Sequence, residues 1–518
     1  MGIVIRQSIK GTIVTYVGTF IGFLTTMFVL TQFLSPEDIG LTKVVVEIGT
    51  VFGSLALLGV QNSAFRFFPY FRNAQNNHNG FLFYILVIPL VGCILFILLY
   101  ILLKTPIATY FSQQSALVVS YYYWIIPLII FTCYLVVLET YSNINMRITV
   151  LRLNREVILK LLMLAVYLCY GTHLINRDGL VAGTVCVYGL SMLILFVYIA
   201  KMGKISLQHD ISFVSKPLRK EILKYSLFLI VCSLSGVILL KLDLFMLTAE
   251  NGLSDAGIFT IAMYIATVIE IPSRSISAIS SPIAANALKE GDLQTSNRLY
   301  QKVALHQLLV GGLIFIVVWS NIDNIFAIIP RGDVYAQGKW VVFFIGIAKL
   351  ILITLSFGNV LLSFSRFYYW SLYLMFFLTV VGILTNLWLI PRFGMTGAAM
   401  ATALTVLISS SFQQWVVLFK IKGNPYTRGM LKLLLIFTLL IGINYLLYKF
   451  ENPWLDGISR TVVIVAVGGG LLYVLKVSEE LTNTVKVIFR KVILFIPNKG
   501  VPLRKNVSEP RFSQDSQD

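Results

Sequence analysis

Leu34-Ser35-Pro36-Glu37-Asp38-Ile39-Gly40 returns later in the chain as Leu253-Ser254-Asp255-Ala256-Gly257-Ile258, with 217 residues between Gly40 and Gly257. A second landmark, Leu174-Ile175-Asn176-Arg177-Asp178-Gly179, returns as Leu389-Ile390-Pro391-Arg392-Phe393-Gly394, with 215 residues between its glycines. Working outward, each copy of the pair is embedded in six apolar runs. The spacing predicts one six-helix membrane unit used twice, over residues 1–210 and 217–425. Repeated membrane halves of this kind place a ligand site between them, near the bilayer midplane.

Composition agrees. Hydrophobic residues make up 57% of the 518-residue chain and charged residues 12%, about half the charged share of a soluble protein. The net charge of +18 is high enough to raise nucleic acid as a partner. The bases, however, sit in short segments between apolar runs, as in loops beside anionic headgroups, so no nucleic-acid partner is expected. Cys93, Cys133, Cys169, Cys186 and Cys232 all lie inside apolar runs without a CxxC spacing, which reads as small buried hydrophobes rather than disulfides or a metal site. The first apolar run is too long for a signal peptide and is expected to stay as the first helix.

A bilayer crossing takes roughly 20 apolar residues. On that measure about fourteen spans are expected, at 8–33, 40–64, 80–103, 117–142, 156–174, 179–200, 222–247, 256–281, 303–321, 336–362, 367–390, 394–419, 429–448 and 457–476. The fold class is therefore all-α membrane protein: two parallel six-helix lobes around a central cavity, then two additional helices within 426–478. Residues 479–518 read as a basic amphipathic segment and a disordered cytoplasmic tail. Every second connection is basic: Arg66 and Arg72, then Arg147, Arg152 and Arg155, then the segment from Lys201 to Lys224, then Lys420 to Lys432. The others carry Glu37, Asp38, Glu250, Asp255, Glu451 and Asp456. This asymmetry puts both termini in the cytoplasm. The outer connections are too short for a catalytic domain, and the longest inner ones, 201–221 and 282–302, are too short as well.

Nine ionisable residues fall inside the expected spans: Lys43, Glu47, Glu139, Lys160, Lys241, Asp243, Glu270, Arg274 and Lys349. Each costs about 2.5–3.5 kcal/mol at a helix centre, so each should face the bundle interior or water. Glu139 and Lys160 lie near helix ends, within reach of the interface by snorkelling. Lys43 with Glu47, and Glu270 with Arg274, are four apart and share a helix face. These are cavity ion pairs, or equally pairs that neutralise charge for insertion. Pro272, beside the second pair, removes a backbone hydrogen bond and is expected to kink its span. Lys241 and Lys349 have no opposite charge one turn away. Arg274, Lys241, Lys349 and Lys43 would together make a cationic cavity for a phosphate-bearing substrate, arginine offering two parallel contacts and lysine a compact charge. The histidines, His78, His173, His209 and His306, are scattered. There is no nucleophile with its base and no nucleotide or metal motif, so no catalytic residue, metal or enzyme activity is expected.

Several stretches resemble bacterial polysaccharide-biosynthesis flippases. They are Arg6-Gln7-Ser8-Ile9-Lys10-Gly11, the Phe33–Gly40 stretch, Leu58-Gly59-Val60-Gln61-Asn62 with Arg66-Phe67-Phe68-Pro69, and Pro391-Arg392-Phe393-Gly394-Met395-Thr396-Gly397-Ala398-Ala399. The resemblance covers essentially residues 1–480. The family shares a superfamily with multidrug and toxin extrusion antiporters and lipid II flippases. The resemblance implies transfer of an undecaprenyl-pyrophosphate-linked oligosaccharide from the cytoplasmic to the periplasmic leaflet of the bacterial inner membrane, for surface polysaccharide such as lipopolysaccharide. Membrane lipids, a polysaccharide polymerase and glycosyltransferases are the implied partners. It implies no cofactor, with Na+ or H+ as the coupling ion. The lipid II flippases carry a sodium site on helices seven, eleven and twelve. Asp243, Asn386 and Thr402 match it, while Ile390 stands near the place of a second acidic ligand. Two alternatives stay open: a cation-coupled drug exporter on the same fold, which needs acidic cavity groups, and a membrane enzyme of polysaccharide assembly, which needs a catalytic constellation and a larger outer loop.

Overall fold

The computed structural model describes residues 2–73, 77–201 and 216–477. The expected basic tail, 479–518, and most of the 201–221 connection lie outside the described residues. The described chain is helical, with no strand among the described residues. The first half supplies α1 (Gly2–Leu24), α2 (Pro36–Ala56), α3 (Val60–Phe71), α4 (Phe81–Leu102), α5 (Ile125–Ile144), α6 (Leu159–Gly171) and α7 (Arg177–Lys201). The second half supplies α8 (Lys216–Asn251), α9 (Leu253–Thr267), α10 (Ile271–Lys289), α11 (Leu293–Ser320), α12 (Lys339–Leu355) and α13 (Trp370–Ile421), followed by α14 (Arg428–Leu446) and α15 (Pro453–Val474).

Eleven helical segments among the described residues are long and apolar enough to cross a membrane. Three features reconcile them with fourteen apolar runs. The run over 156–174 starts within a π-helical turn and carries Glu156 and Lys160, and α8, uncharged over 226–240, covers the expected span 222–247. The segment α13 is a hairpin: Gly394 leaves helical geometry at φ 55°. The hydroxyls of Thr385 and Thr405 meet at 2.7 Å, so the chain runs back along itself. The expected inner connection 282–302 contracts to a tight turn, because α10 runs on to Lys289 and α11 starts at Leu293. Hydropathy falls over this stretch, but Ala-Ala-Asn-Ala-Leu keeps good helix formers in place.

The repeated landmarks explain how the halves meet. Ser35 caps α2 by accepting from the Asp38 amide at 3.1 Å, and Pro36 occupies the first turn, the preferred arrangement for a helix start. Within the first copy the two landmarks lock together. Arg177 Nε lies 2.7 Å from buried Asp38, and the Ser35 and Tyr170 hydroxyls donate to the same carboxylate at 2.7 and 3.0 Å. Between copies the contact is reciprocal. A methyl at Gly40 would sit 2.0 Å from the Leu253 carbonyl oxygen, and one at Gly257 would sit 1.9 Å from that of Pro36. Only glycine lets the backbones of α2 and α9 approach so closely.

Hydrophobic packing follows the same geometry. Around Gly40 and Gly257 a single core combines both halves, including Leu34, Leu41 and Ile125 from the first and Ala256, Phe259 and Val341 from the second. Away from that end the core divides. One cluster is built from the first half, around Phe67, Phe81 and Leu138. The other belongs to the second half with α14 and α15, around Tyr300, Phe357 and Leu433. The shared core thus lies at the Gly40–Gly257 end, while at the other end the halves meet through α8 and α3, where Arg66 pairs with Glu221 at 3.0 Å and the Ser63 and Ser226 hydroxyls lie 3.1 Å apart.

The last two helices are held by a buried polar knot. Asp456 accepts from Asn324 Nδ2 at 2.6 Å, from Arg460 Nε at 2.6 Å and from the Phe450 amide at 3.0 Å, while Arg460 also donates to Asn444. Both charges are nearly out of solvent. Breaking one side of a buried pair costs on the order of 3–5 kcal/mol. Asp456→Ala is therefore expected to lower the melting temperature in detergent sharply, and Asp456→Asn, which keeps an acceptor, to lower it less.

Candidate functional site

The cleft between the halves holds two adjoining cavities. The larger, about 500 Å³, is lined by Thr19, Thr50, Arg155, Glu156 and Lys160 from the first half and by Thr267 and Arg274 from the second. The smaller, about 240 Å³, lies nearer the joined end and is lined by Thr42, Lys43 and Thr260. The two share Leu159, Lys160, Tyr188 and Tyr264.

Local helix geometry shapes these walls. α1 passes into a π-helical turn at Thr25–Leu30, and α6 is preceded by another at Asn154–Ile158. A π turn inserts a residue and rotates the downstream side chains about the helix axis, and such turns concentrate at functional sites. The second is pinned by Asn154, which donates to Ser191 Oγ at 2.9 Å. It turns Arg155 and Glu156 toward the cavity. Gly18 of α1 lies against it so closely that a methyl there would be 2.3 Å from the Glu156 carbonyl oxygen. Arg155 and Lys160 are thus cavity residues that sequence reasoning assigned to a loop and to the interface. Lys160 does not snorkel: it pairs with Glu156 at 2.8 Å and donates to the Gly18 carbonyl at 3.0 Å. Glu139 is buried and pairs with Arg155 at 3.1 Å. The asparagine and glycine at these positions carried no sequence signal of a π turn.

The four expected cations fall into two clusters. Glu47 is held by Lys43 at 2.8 Å and by Lys241, on α8 of the other half, also at 2.8 Å. Glu270 is held by Lys349 at 2.7 Å and by Arg274 at 3.2 Å. Lys241 and Lys349, which lack a partner along their own helices, therefore find carboxylates on neighbouring ones. Arg274 lines the larger central cavity, Lys43 the smaller one and Lys349 a third cavity. Arg274 is 66% exposed and Glu47 6%, so the first is free to meet a ligand while the second is enclosed. Next to Glu270 the span breaks as expected, with a 3-10 turn at Val268–Glu270 and Pro272 in the first turn of α10.

The third cavity, about 480 Å³, lies inside the second half and is lined by Asp243, Lys349, Asn359, Ser371, Thr402 and Gln413 among others. At its wall Asp243 accepts from Asn386 Nδ2 at 2.7 Å and from the Thr402 hydroxyl. The three residues expected of a coupling site thus converge. Asn386 Oδ1 is buried without a hydrogen-bond partner. One carboxylate, a hydroxyl oxygen and an unsatisfied amide oxygen fit a single positive charge, a proton or Na+. Ile390, fully buried, adds no second acid. No cluster of three or more acidic, histidine or cysteine ligands exists among the described residues.

No protein-family model matches the chain, and no curated protein sequence matches it. Its fold is found in solved structures. The chain is similar to the lipid II flippase MurJ in its inward closed conformation, with a TM-score of 0.72 at 13% identity, over 91% of this chain and all (100%) of that one. It is similar to an inward-facing multidrug resistance MATE family transporter of the MOP superfamily, with a TM-score of 0.57 at 15% identity, over 78% of this chain and 94% of that one. A third similar structure is a MOP superfamily transporter from Pyrococcus furiosus described as having a binding pocket of reverse polarity, with a TM-score of 0.51 at 15% identity, over 81% of this chain and 95% of that one. At these identities the likeness is one of fold.

Proposed function

We propose that this chain is a flippase. It moves an undecaprenyl-pyrophosphate-linked oligosaccharide from the cytoplasmic to the periplasmic leaflet of the bacterial inner membrane, for surface polysaccharide assembly. The observation that carries this reading is the central cleft, where Arg274 stands exposed with Arg155, Lys160 and Lys43 along the same pair of cavities. Such a lining suits the phosphates of a lipid headgroup and repels a cationic drug. The fold is shared with a lipid II flippase and with transporters, and the reading requires no covalent chemistry. The halves, residues 1–210 and 217–425, would act as lobes that rock about the cleft, joined in this state at the Gly40–Gly257 end, which is assigned to the periplasm with both termini in the cytoplasm. The pyrophosphate would lie on the cavity cations while the polyprenyl tail stays among membrane lipids. Asp243, Asn386 and Thr402 would hold the coupling cation, H+ or Na+, whose charge would neutralise the buried carboxylate. Handing the product to a polymerase, and receiving substrate from glycosyltransferases, completes the proposal.

One observation favours the second reading. The cavity of the second half contains Asp243, the kind of acidic group that a cation exporter uses. Proteoliposomes separate the two. With the purified protein, a fluorescent undecaprenyl-pyrophosphate oligosaccharide should become accessible to an impermeant quencher far faster than in empty vesicles, and an organic cation should not move. Cation flux without lipid flux would reject the flippase reading. In the same vesicles, cysteines placed at Gln113 and Met146 in a cysteine-free background should react with an impermeant thiol reagent from opposite faces. In cells, Gln113 should be the one labelled from the periplasm.

A further inference from the structure

The two carboxylate-centred clusters lie at different depths along the cleft. Gly40 and Gly257 touch, so they mark a common level at the joined end. Both α2 and α9 run away from it. Glu47 follows Gly40 by seven residues, roughly 10 Å of helix, and Glu270 follows Gly257 by thirteen, roughly 20 Å. The cavities keep that order. Lys43 lines the inner one and Arg274 the outer one, and the two are joined at Lys160, Tyr188 and Tyr264.

Each cluster has two cations on one carboxylate and a surplus of one positive charge. Two like cations facing each other in a low-dielectric cleft repel strongly unless an anion lies between them. In the ligand-free protein that anion is the glutamate. A pyrophosphate would make the same contacts with more oxygens and more charge.

We propose that Glu270 and Glu47 are internal competitors for the ligand. Each occupies the cations of one anion station, Arg274 with Lys349 at the outer depth and Lys43 with Lys241 at the inner depth, and the substrate's phosphates pass from one to the other by exchange with the carboxylates. The inference rests on the reading above that the ligand is anionic. Arg274 is the natural first contact, being the most exposed member and the one with the longest contact, 3.2 Å. When it turns to the ligand, Glu270 keeps Lys349 at 2.7 Å, so no buried charge is left alone. The neighbouring 3-10 turn and Pro272 leave that stretch of backbone short of hydrogen bonds and able to adjust. The inner station ties the halves, because Glu47 and Lys43 belong to α2 and Lys241 to α8. An anion that displaces Glu47 there replaces the direct α2–α8 ion pair with a bridge through the ligand, which links ligand arrival to how the halves are held. The carboxylates also limit affinity, so that a multiply charged ligand can leave.

The test uses the full-length protein in detergent, titrated with undecaprenyl pyrophosphate and separately with inorganic pyrophosphate. Glu270→Gln removes the competing charge and is expected to lower the Kd for either probe about tenfold while slowing lipid transfer in vesicles. Glu47→Gln should act in the same direction. Glu270→Asp keeps the charge, and with it the folding balance, but is too short to bridge Arg274 and Lys349, so it should also tighten binding. Folded Glu270→Gln and Glu270→Asp proteins with unchanged or weaker binding, beside a wild type that binds the lipid, overturn the competitor role and leave the flippase reading standing. A wild type that ignores the lipid probe, with Glu270→Gln binding inorganic pyrophosphate more tightly than wild type, has the opposite meaning: the competitor role stands and the lipid-linked substrate falls.

Discussion

Arg274→Ala is expected to abolish export of surface polysaccharide while the protein accumulates in the membrane at near its normal level. The reason lies in what the mutation removes and what it leaves. Arg274 reaches into the larger central cavity and is 66% exposed, so its loss opens no core. Its partner Glu270 remains paired with Lys349 at 2.7 Å and is not orphaned. What disappears is a planar donor for phosphate. A hydrogen bond to a charged group contributes about 1.5–3 kcal/mol, which corresponds to roughly a tenfold to hundredfold loss of affinity. Arg274→Lys should recover part of the activity, because lysine restores the charge without the two-pronged contact. Complementation of an export-deficient strain, with membrane levels measured by immunoblot, checks both variants. Normal export by Arg274→Ala would remove Arg274 from the substrate site. Loss of the protein from the membrane would mean that its pairing with Glu270 serves folding.

Gly257→Val should be at least as damaging, by a different route. The first atom of any side chain at this position would lie 1.9 Å from the Pro36 carbonyl oxygen. The obstacle is backbone, so no rotamer change relieves it, and α2 and α9 must move apart. Overpacking of this kind costs about 1–3 kcal/mol or more. Here the strain falls on the contact that joins the halves, so the population should shift toward conformers in which that end is parted. On the proposed function, transport needs both states and should fall more than tenfold. Leu41 reports the change directly. It is fully buried in the shared core beside this contact. A cysteine at Leu41 in a cysteine-free background should resist thiol reagents in the parent protein and react readily once Gly257→Val is added. Gly442→Ala is the control, because nothing lies within 4 Å of the position a new methyl would take. An unreactive Leu41→Cys in the Gly257→Val protein, with normal transport, would show that the contact is dispensable.

Much of the architecture was legible in the linear chain. Hydropathy over about 20 residues reports a crossing whatever surrounds it. The two spaced landmarks read as a duplicated unit, and the glycines of the first, Gly40 and Gly257, touch each other across the halves. The expected break near Pro272 is present because a missing amide hydrogen acts locally. The convergence of Asp243, Asn386 and Thr402 came from resemblance, and the hairpin at Gly394 is what brings the last two to one carboxylate.

Some things were beyond reach of the sequence. Lys241 looked unpaired because a reading by helix spacing sees only one turn in each direction. Its partner Glu47 stands on another helix of the other half, and that pairing depends on how α2 and α8 are rotated against each other. Lys349 and Glu270 are 79 residues apart and meet for the same reason. Arg155 and Lys160 read as loop and interface residues because a π turn, which resets the facing of every later side chain on its helix, leaves no mark in composition. The sequence by itself determined that the described chain is helical and apolar enough to cross a membrane many times, and which charges those helices carry, because those properties follow from local chemistry. Tertiary structure alone decided which charges meet and how closely α2 and α9 approach, because the rotation and closeness of packed helices are set by side chains distant along the chain.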